Sequence, residues 1–326
     1  MSFKKFGVSQ KFILLAVYCF AGSACANQPT EEAWWPSVWG EGDQKGSSNR
    51  ITPAKVLEAI QEVETGKIYE LGHPYEPNMP IYEGRTFSLA PKISGPFGEH
   101  RTMGTEVLLQ TEIGQVGTQL DGLAHIGKQM NVDGDVKNVF YNGFTEEELA
   151  LHEPKTPALG IEKINPFITR GILIDIAGSK GVDVLDHSYL VTLDDVRAAL
   201  QAQGMSETDI REGDAVLFRY GWSEYWHIPG KFMTNPPGIG LEVAEWLVTK
   251  RPSLFGSDSY NSEVIPRETQ DKTVHQELIM KKGILNQENL IFDELVQDEV
   301  YVFMLINTPL RIVGASGSPS RPIAIK

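Results

Sequence analysis

Apolar residues recur along this 326-residue chain at two spacings, which sort it into helices and strands. Thr52-Pro53 suits an N-cap and a first helical turn; Val56, Leu57, Ile60 and Val63 then share one helical face, and Gly66 closes the segment. Thr192-Leu193-Asp194-Asp195 opens a second helix running to Gln203. Residues 239–249 form a third, with Val243, Trp246 and Leu247 facing inward. Thr145 followed by Glu146, Glu147 and Glu148 reads as an N-cap and an acidic first turn. Continuous apolar runs at 171–176, 215–219, 254–256 and 300–306 have strand length, and such runs are covered on both faces. Residues 67–71 and 106–113 add two more strands. Residues 72–105, with Pro74, Pro77, Pro80, Pro91 and Pro96, read as loop with short strands. Strands and helices interleave without a linker, repeat or low-complexity tract, so residues 51–326 read as one α/β domain.

The first 50 residues stand apart. Lys4, Lys5 and Lys11 precede an apolar stretch, Phe12 to Ala24, that is too short to span a bilayer; Ala24-Cys25-Ala26 then offers a small-x-small cleavage site. Residues 1–26 are therefore read as a signal peptide, and the protein as exported, periplasmic or secreted. A lipid-modified Cys25 is the alternative, but Gly22 stands where that motif wants Leu. Residues 27–50 form an extended N-terminal arm whose Trp34, Trp35 and Trp39 lie against the body. Cleavage would remove both cysteines of the chain, which excludes disulfides and thiolate-held metals. It would also remove three lysines and no acid, taking the formal charge from −14 to −17. So acidic a chain is no partner for nucleic acid, and no other segment is apolar enough to span a membrane.

The chemistry concentrates between Gly114 and His125. Gln115, Gln119, Asp121 and His125 lie within eleven residues, with Gly117 and Gly122 between them and Gly114 just before. Positions two apart share a strand face and positions four apart share a helix face, so these oxygen and imidazole groups can converge. That points to a hard or borderline metal ion and hydrolytic chemistry. Partners must come from elsewhere in the chain. His275, on a helical stretch ending near Gly283, and Glu288, where a strand should start, are the best placed. Of the other histidines, His73 could border the pocket; His100, His152, His187 and His227 have no ligand-like spacing. A serine triad is disfavoured, because no Gly-x-Ser-x-Gly occurs.

These residues resemble the cyclase family of metal-dependent hydrolases, which includes bacterial kynurenine formamidases, isatin hydrolase-like enzymes and lactone hydrolases. The family signature is His-x-Gly-Thr-His-x-Asp-x-x-x-His, with a His and a Glu far downstream. Gly117, Thr118, Asp121, His125, His275 and Glu288 match it; Gln115 and Gln119 replace two histidines. Further likeness lies in Gly213 to Leu217, Gly221-Trp222, Pro237 to Ile239, Gly256 to Asp258 with Glu263, and Gly314 to Pro319. The resemblance implies a swivelling β/β/α single domain, assembled as a homo-oligomer, acting on a small amide or ester: a lactone, a lactam or an aryl formamide. It implies one divalent ion, zinc or manganese, on Asp121, His125, His275 and Glu288. Gln115, Gln119 and Thr118 then support those ligands or touch substrate. Two other classes fit the same fold: a non-catalytic small-molecule binding protein and a metal-dependent lyase or cyclase.

Recovered after export, the protein should begin at Asn27 by intact mass. A lipidated Cys25 at its start would establish the anchored alternative, and an uncleaved chain from Met1 would remove both.

Overall fold

The buried runs of the chain line up side by side in one mixed sheet. The computed structural model describes residues 33–149 and 157–326; the signal-peptide segment and the first residues of the arm lie outside them. In chain order the strands of this sheet and of one separate ribbon are β1 (Ile68–Glu70), β2 (Phe87–Phe97), β3 (Thr102–Thr111), β4 (Gln119–Asp121), β5 (Phe167–Asp175) and β6 (Ala215–Arg219). They continue with β7 (Leu254–Ser257), β8 (Leu285–Glu288), β9 (Val302–Asn307), β10 (Gly317–Pro319) and β11 (Ile323–Ile325). Nine of them join in the order β1-β11-β9-β5-β6-β7-β8-β4-β10. The centre, β5 to β8, is parallel, and antiparallel strands extend it on both sides. Ile172 to Ile174, Ala215 to Phe218, and Leu254 with Phe255 are buried, as continuous apolar runs require.

Three helices cover the sheet: α1 (Pro53–Ile60), α2 (Leu193–Ala202) and α3 (Leu241–Lys250). Thr52 caps α1 by accepting the Lys55 amide at 3.2 Å, and Thr192 with Asp195 forms a reciprocal capping box on α2. Val243, Trp246 and Leu247 of α3 are buried as expected. The apolar stripe of α1 is not its buried face. Leu57, Ile60 and Val63 are exposed, whereas Lys55 and Ala59 are buried. Charge decides this orientation. Lys55 Nζ lies 2.5 Å from Asp214 Oδ1 and 3.2 Å from Glu58, and Arg170 reaches the other Asp214 oxygen at 3.4 Å. Removing one partner from such a buried pair costs about 3–5 kcal/mol, more than burying one further leucine gains.

A second departure lies in residues 72–105. Instead of loop with short strands, β2 and β3 form a long antiparallel ribbon. Pro91 and Pro96 are tolerated because the ribbon has only two strands, so each keeps an unpaired edge. Leu89 opposes Leu109, and Pro91 opposes Val107, on one apolar face. Lys92 and Glu106 pair at 3.1 Å on the other. Ile93, Val107 and Leu109 are all exposed. Among the described residues no helix is long and apolar enough to cross a membrane. The arm docks as its tryptophans suggested: Trp34 donates to the Phe140 carbonyl at 3.3 Å, and Ser47 is tied to Gly283 and Ser253.

Candidate metal centre

Two short strands build the centre. β4 and β8 pair antiparallel with Asp121 opposite Asn286 and Gln119 opposite Glu288. Side chains alternate across a strand, and directly paired residues share a face. Gln119, Asp121, Asn286 and Glu288 therefore form a two-by-two polar patch on one side of the sheet. On the outer neighbour β10, Gly317 pairs with Asp121 and adds no side chain there. Gly114 and Gly117 let the preceding turn close. Both hold left-handed φ, +76° and +63°, and a Cβ on Gly114 would lie 2.1 Å from the Gly317 carbonyl carbon. His275 enters from the start of a π-helical turn, Gln276–Met280.

Asp121, His275 and Glu288 each offer one atom to a common point, all within 4.8 Å of one another. His275 Nε2 lies 3.4 Å from Glu288 Oε1 and 3.9 Å from Asp121 Oδ2. Ligand bonds of about 2.1 Å set tetrahedral edges of about 3.4 Å, so the set needs little adjustment to hold a zinc-sized ion. The amide of Asn286 already directs a donor at the same atoms, 3.2 Å from Asp121 Oδ2 and 2.8 Å from Glu288 Oε1. The residues present therefore fit a divalent cation, with two carboxylates and one imidazole. His275 and Glu288 line a cavity of about 400 Å³, with Asp121 fully buried beside them; Pro80, Ile81, Tyr82, Met233, Tyr260 and Ile265 wall it, and Arg85 and Arg267 also line it.

Electrostatics suit a cation as well. Burial and the neighbouring Glu288 raise the pKa of Asp121 against the opposing pull of His125 and His275. Burial alone would depress His275, but Glu263 and Glu288 overturn that and raise it well above its ordinary value. Glu263 Oε1 sits 3.0 Å from His275 Nδ1 and also accepts from Arg267 at 2.8 Å. Burial pushes the Glu263 carboxyl up, yet the charge and hydrogen bonds of His275 and Arg267 prevail and hold it at about 2. His125 moves the other way. Burial, aided by His275 and Arg85, lowers its pKa, so it is a neutral imidazole at neutral pH.

Not every expected site residue meets at that point. His125 lines the cavity, but its Nε2 is 3.9 Å from Asp121 Oδ1, on the side of that carboxylate away from His275. Gln115 and Gln119 line the cavity too, and each donates its amide to a carboxylate of the centre: Asp121 at 3.3 Å and Glu288 at 3.1 Å. Thr118 faces away. Its hydroxyl accepts the His73 amide at 2.8 Å and donates to the Asn289 carbonyl at 2.7 Å, so it pins the turn. His73 does not line this cavity; it stacks on Trp226 at 3.8 Å beside a separate cleft. Glu288 ends its strand rather than starting one.

A family model described as "Putative cyclase" matches residues 69–264. This chain belongs to the cyclase family. Cyclase-like protein 1 of Arabidopsis thaliana is 27% identical over 271 residues, spanning 81% of this chain and 86% of that protein. A solved structure of a novel cyclase superposes with a TM-score of 0.73 at 28% identity, covering 88% of this chain and 98% of its own. Isatin hydrolase A of Ralstonia solanacearum shares the fold, with a TM-score of 0.55 and 19% identity over 85% of this chain and 97% of its own. The family match stops before His275 and Glu288; in this cyclase-family chain the fold delivers both to Asp121.

Three site residues were not singled out from sequence. Arg85 lies in a proline-rich stretch without period, and Asn286 lies just before the point where a strand was expected to start. Glu263 appeared only within a likeness to the family. Its spacing of twelve from His275 carries no signal, because a loop lies between them.

Ion affinity, measured by chelator competition, should rise about tenfold per pH unit across neutral pH, because binding must displace the proton that His275 holds below its raised pKa. Glu263→Gln should weaken affinity by about 10–100-fold, as loss of a histidine's carboxylate support does. Affinity flat with pH and unmoved by this change would show that His275 is not a ligand.

Proposed function

We propose that the chain is a metal-dependent hydrolase of a small amide or ester, cyclic (a lactone or lactam) or an aryl formamide. One observation carries the reading: Asp121, His275 and Glu288 converge, and the latter two line a cavity that also holds His125, an imidazole held neutral by burial. A cavity of about 400 Å³ suits a small molecule. When bound, a divalent ion such as zinc or manganese supplies a Lewis acid and lowers the pKa of water toward neutrality. The chain's residues do the rest. Asp121, His275 and Glu288 hold the ion, and Glu263 keeps the His275 ring in orientation. His125 Nε2 takes a proton from the attacking water and returns it to the leaving nitrogen or oxygen. Ile81, Tyr82, Met233 and Ile265 wall the carbonyl from bulk water. The isatin hydrolase fold agrees with this reading without carrying it.

We also propose that copies of the chain associate through the β2–β3 ribbon. An isolated two-stranded hairpin is marginal in water, and this one exposes Leu89, Val107 and Leu109 on one face. A second copy presents the same apolar face, which makes the contact self-complementary.

With the ion loaded, His125→Ala should lower kcat on a lactone, lactam and formanilide panel by about 10²–10⁴-fold while ion content by elemental analysis stays unchanged. An emptied site in that variant would make His125 a ligand instead. Chelator-insensitive ligand binding without turnover would favour the binding-protein class, and product without oxygen from ¹⁸O-water would favour the lyase. For association, light scattering should give a multiple of the chain mass that falls to one chain in Leu89→Asp/Val107→Asp. A wild-type monomer removes the ribbon contact.

A further inference from the structure

The two carboxylates of the centre have four oxygens, and the structure divides them into two faces. The inner pair, Asp121 Oδ2 and Glu288 Oε1, looks toward His275. The outer pair looks toward the glutamines: Gln115 Nε2 donates to Asp121 Oδ1 at 3.3 Å, and Gln119 Nε2 to Glu288 Oε2 at 3.1 Å. Ionised carboxylate oxygens only accept, so each glutamine must turn its NH₂ toward them and its carbonyl away. The Gln115 carbonyl is then taken by Arg85, which donates to Oε1 at 3.1 Å and also to the Gln115 backbone oxygen. Gln119 Oε1 is buried and has no hydrogen-bond partner, so it is the one glutamine oxygen left for a ligand, and it is a neutral one.

We infer that the outer face is a neutral hydrogen-bonding position and does not hold a cation, so that this chain takes a single ion, on the His275 side. The inference rests on the metal-centre reading above. Charge supports it. Asp121 and Glu288 bring two negative charges, which one divalent ion balances. Glu263 is already matched by Arg267. Arg85 places a fixed positive charge against Gln115, where a second ion would sit. A second ion there would find amide oxygens, one of them already held by Arg85, where an imidazole nitrogen would bind it more tightly. Two amide N–H groups satisfy the outer oxygens instead.

Stripped protein titrated with Zn²⁺ and desalted should carry one ion per chain by elemental analysis, and Gln115→His/Gln119→His should carry two. Wild-type protein also carries the test by itself, should the double variant fail to fold. Loaded with excess Mn²⁺, its electron paramagnetic resonance should keep the hyperfine pattern of an isolated ion. Two ions per wild-type chain, a spin-coupled Mn²⁺ signal, or a folded double-histidine variant still at one ion each overturn the inference while leaving the metal centre standing. A wild-type chain that takes no ion at all overturns both.

Discussion

The site depends on the register of one short strand pair. Asp121 and Glu288 meet only because β4 and β8 align Asp121 with Asn286 and Gln119 with Glu288. A slip of β4 by one residue would bring Leu120 to the polar face and turn Asp121 away from Glu288. Strands of three and four residues have few ladder bonds with which to resist that slip, so the fold adds others. The Tyr75 hydroxyl donates to the carbonyls of Val116 and Thr118 at 2.9 and 2.6 Å. Thr118 ties the turn to His73 and Asn289, and Asn289 Nδ2 holds the Gly117 carbonyl at 2.6 Å. Tyr75, His73 and Thr118, which do not line the cavity, thus hold the turn that leads into β4.

Two buried charge clusters among the described residues have opposite resolutions. At Lys55 and Arg170, with Asp214, Glu58 and Glu62, each cation faces acidic groups, and the cluster fastens α1 to β5 and the start of β6. At Asp121, His275 and Glu288, acceptors outnumber the positive charge available from the chain, and Asn286 can offer only amide hydrogens. Uncompensated buried anions are costly unless a proton or a cation joins them. The raised pKa values of Asp121 and His275 are the chain's own partial answer. An ion is the fuller one, and the same imbalance that weakens the apo site would strengthen its grip on a cation.

The glutamines give this cyclase-family chain its own character. Where the family signature has imidazoles, two amides here hydrogen-bond to the carboxylates, and Arg85 locks one of them. Such a substitution exchanges a strong nitrogen ligand for an amide, which binds a cation more weakly through its oxygen, at no change in formal charge.

Much of this was legible in the chain itself. The central strands could be read because continuous apolar runs have few uses outside a two-sided sheet, and α2 because its cap residues lie adjacent in sequence. The cluster from Gln115 to His125 stood out because polar ligand types and glycines crowd together there. Other features depended on distant partners. The orientation of α1 followed from Asp214, some 160 residues from Lys55, which no local period records. The ribbon was hidden because prolines mark loops unless a strand has a free edge. Glu263 and Asn286 joined the centre only through the packing of a loop and a neighbouring strand. His125 places its Nε2 3.9 Å from Asp121 Oδ1, while His275 faces the other oxygen, a division that the residue types do not reveal. Sequence determined which chemistry the chain could carry, because side-chain type is local; tertiary structure decided which side chains meet, because register and charge pairing act across the whole fold.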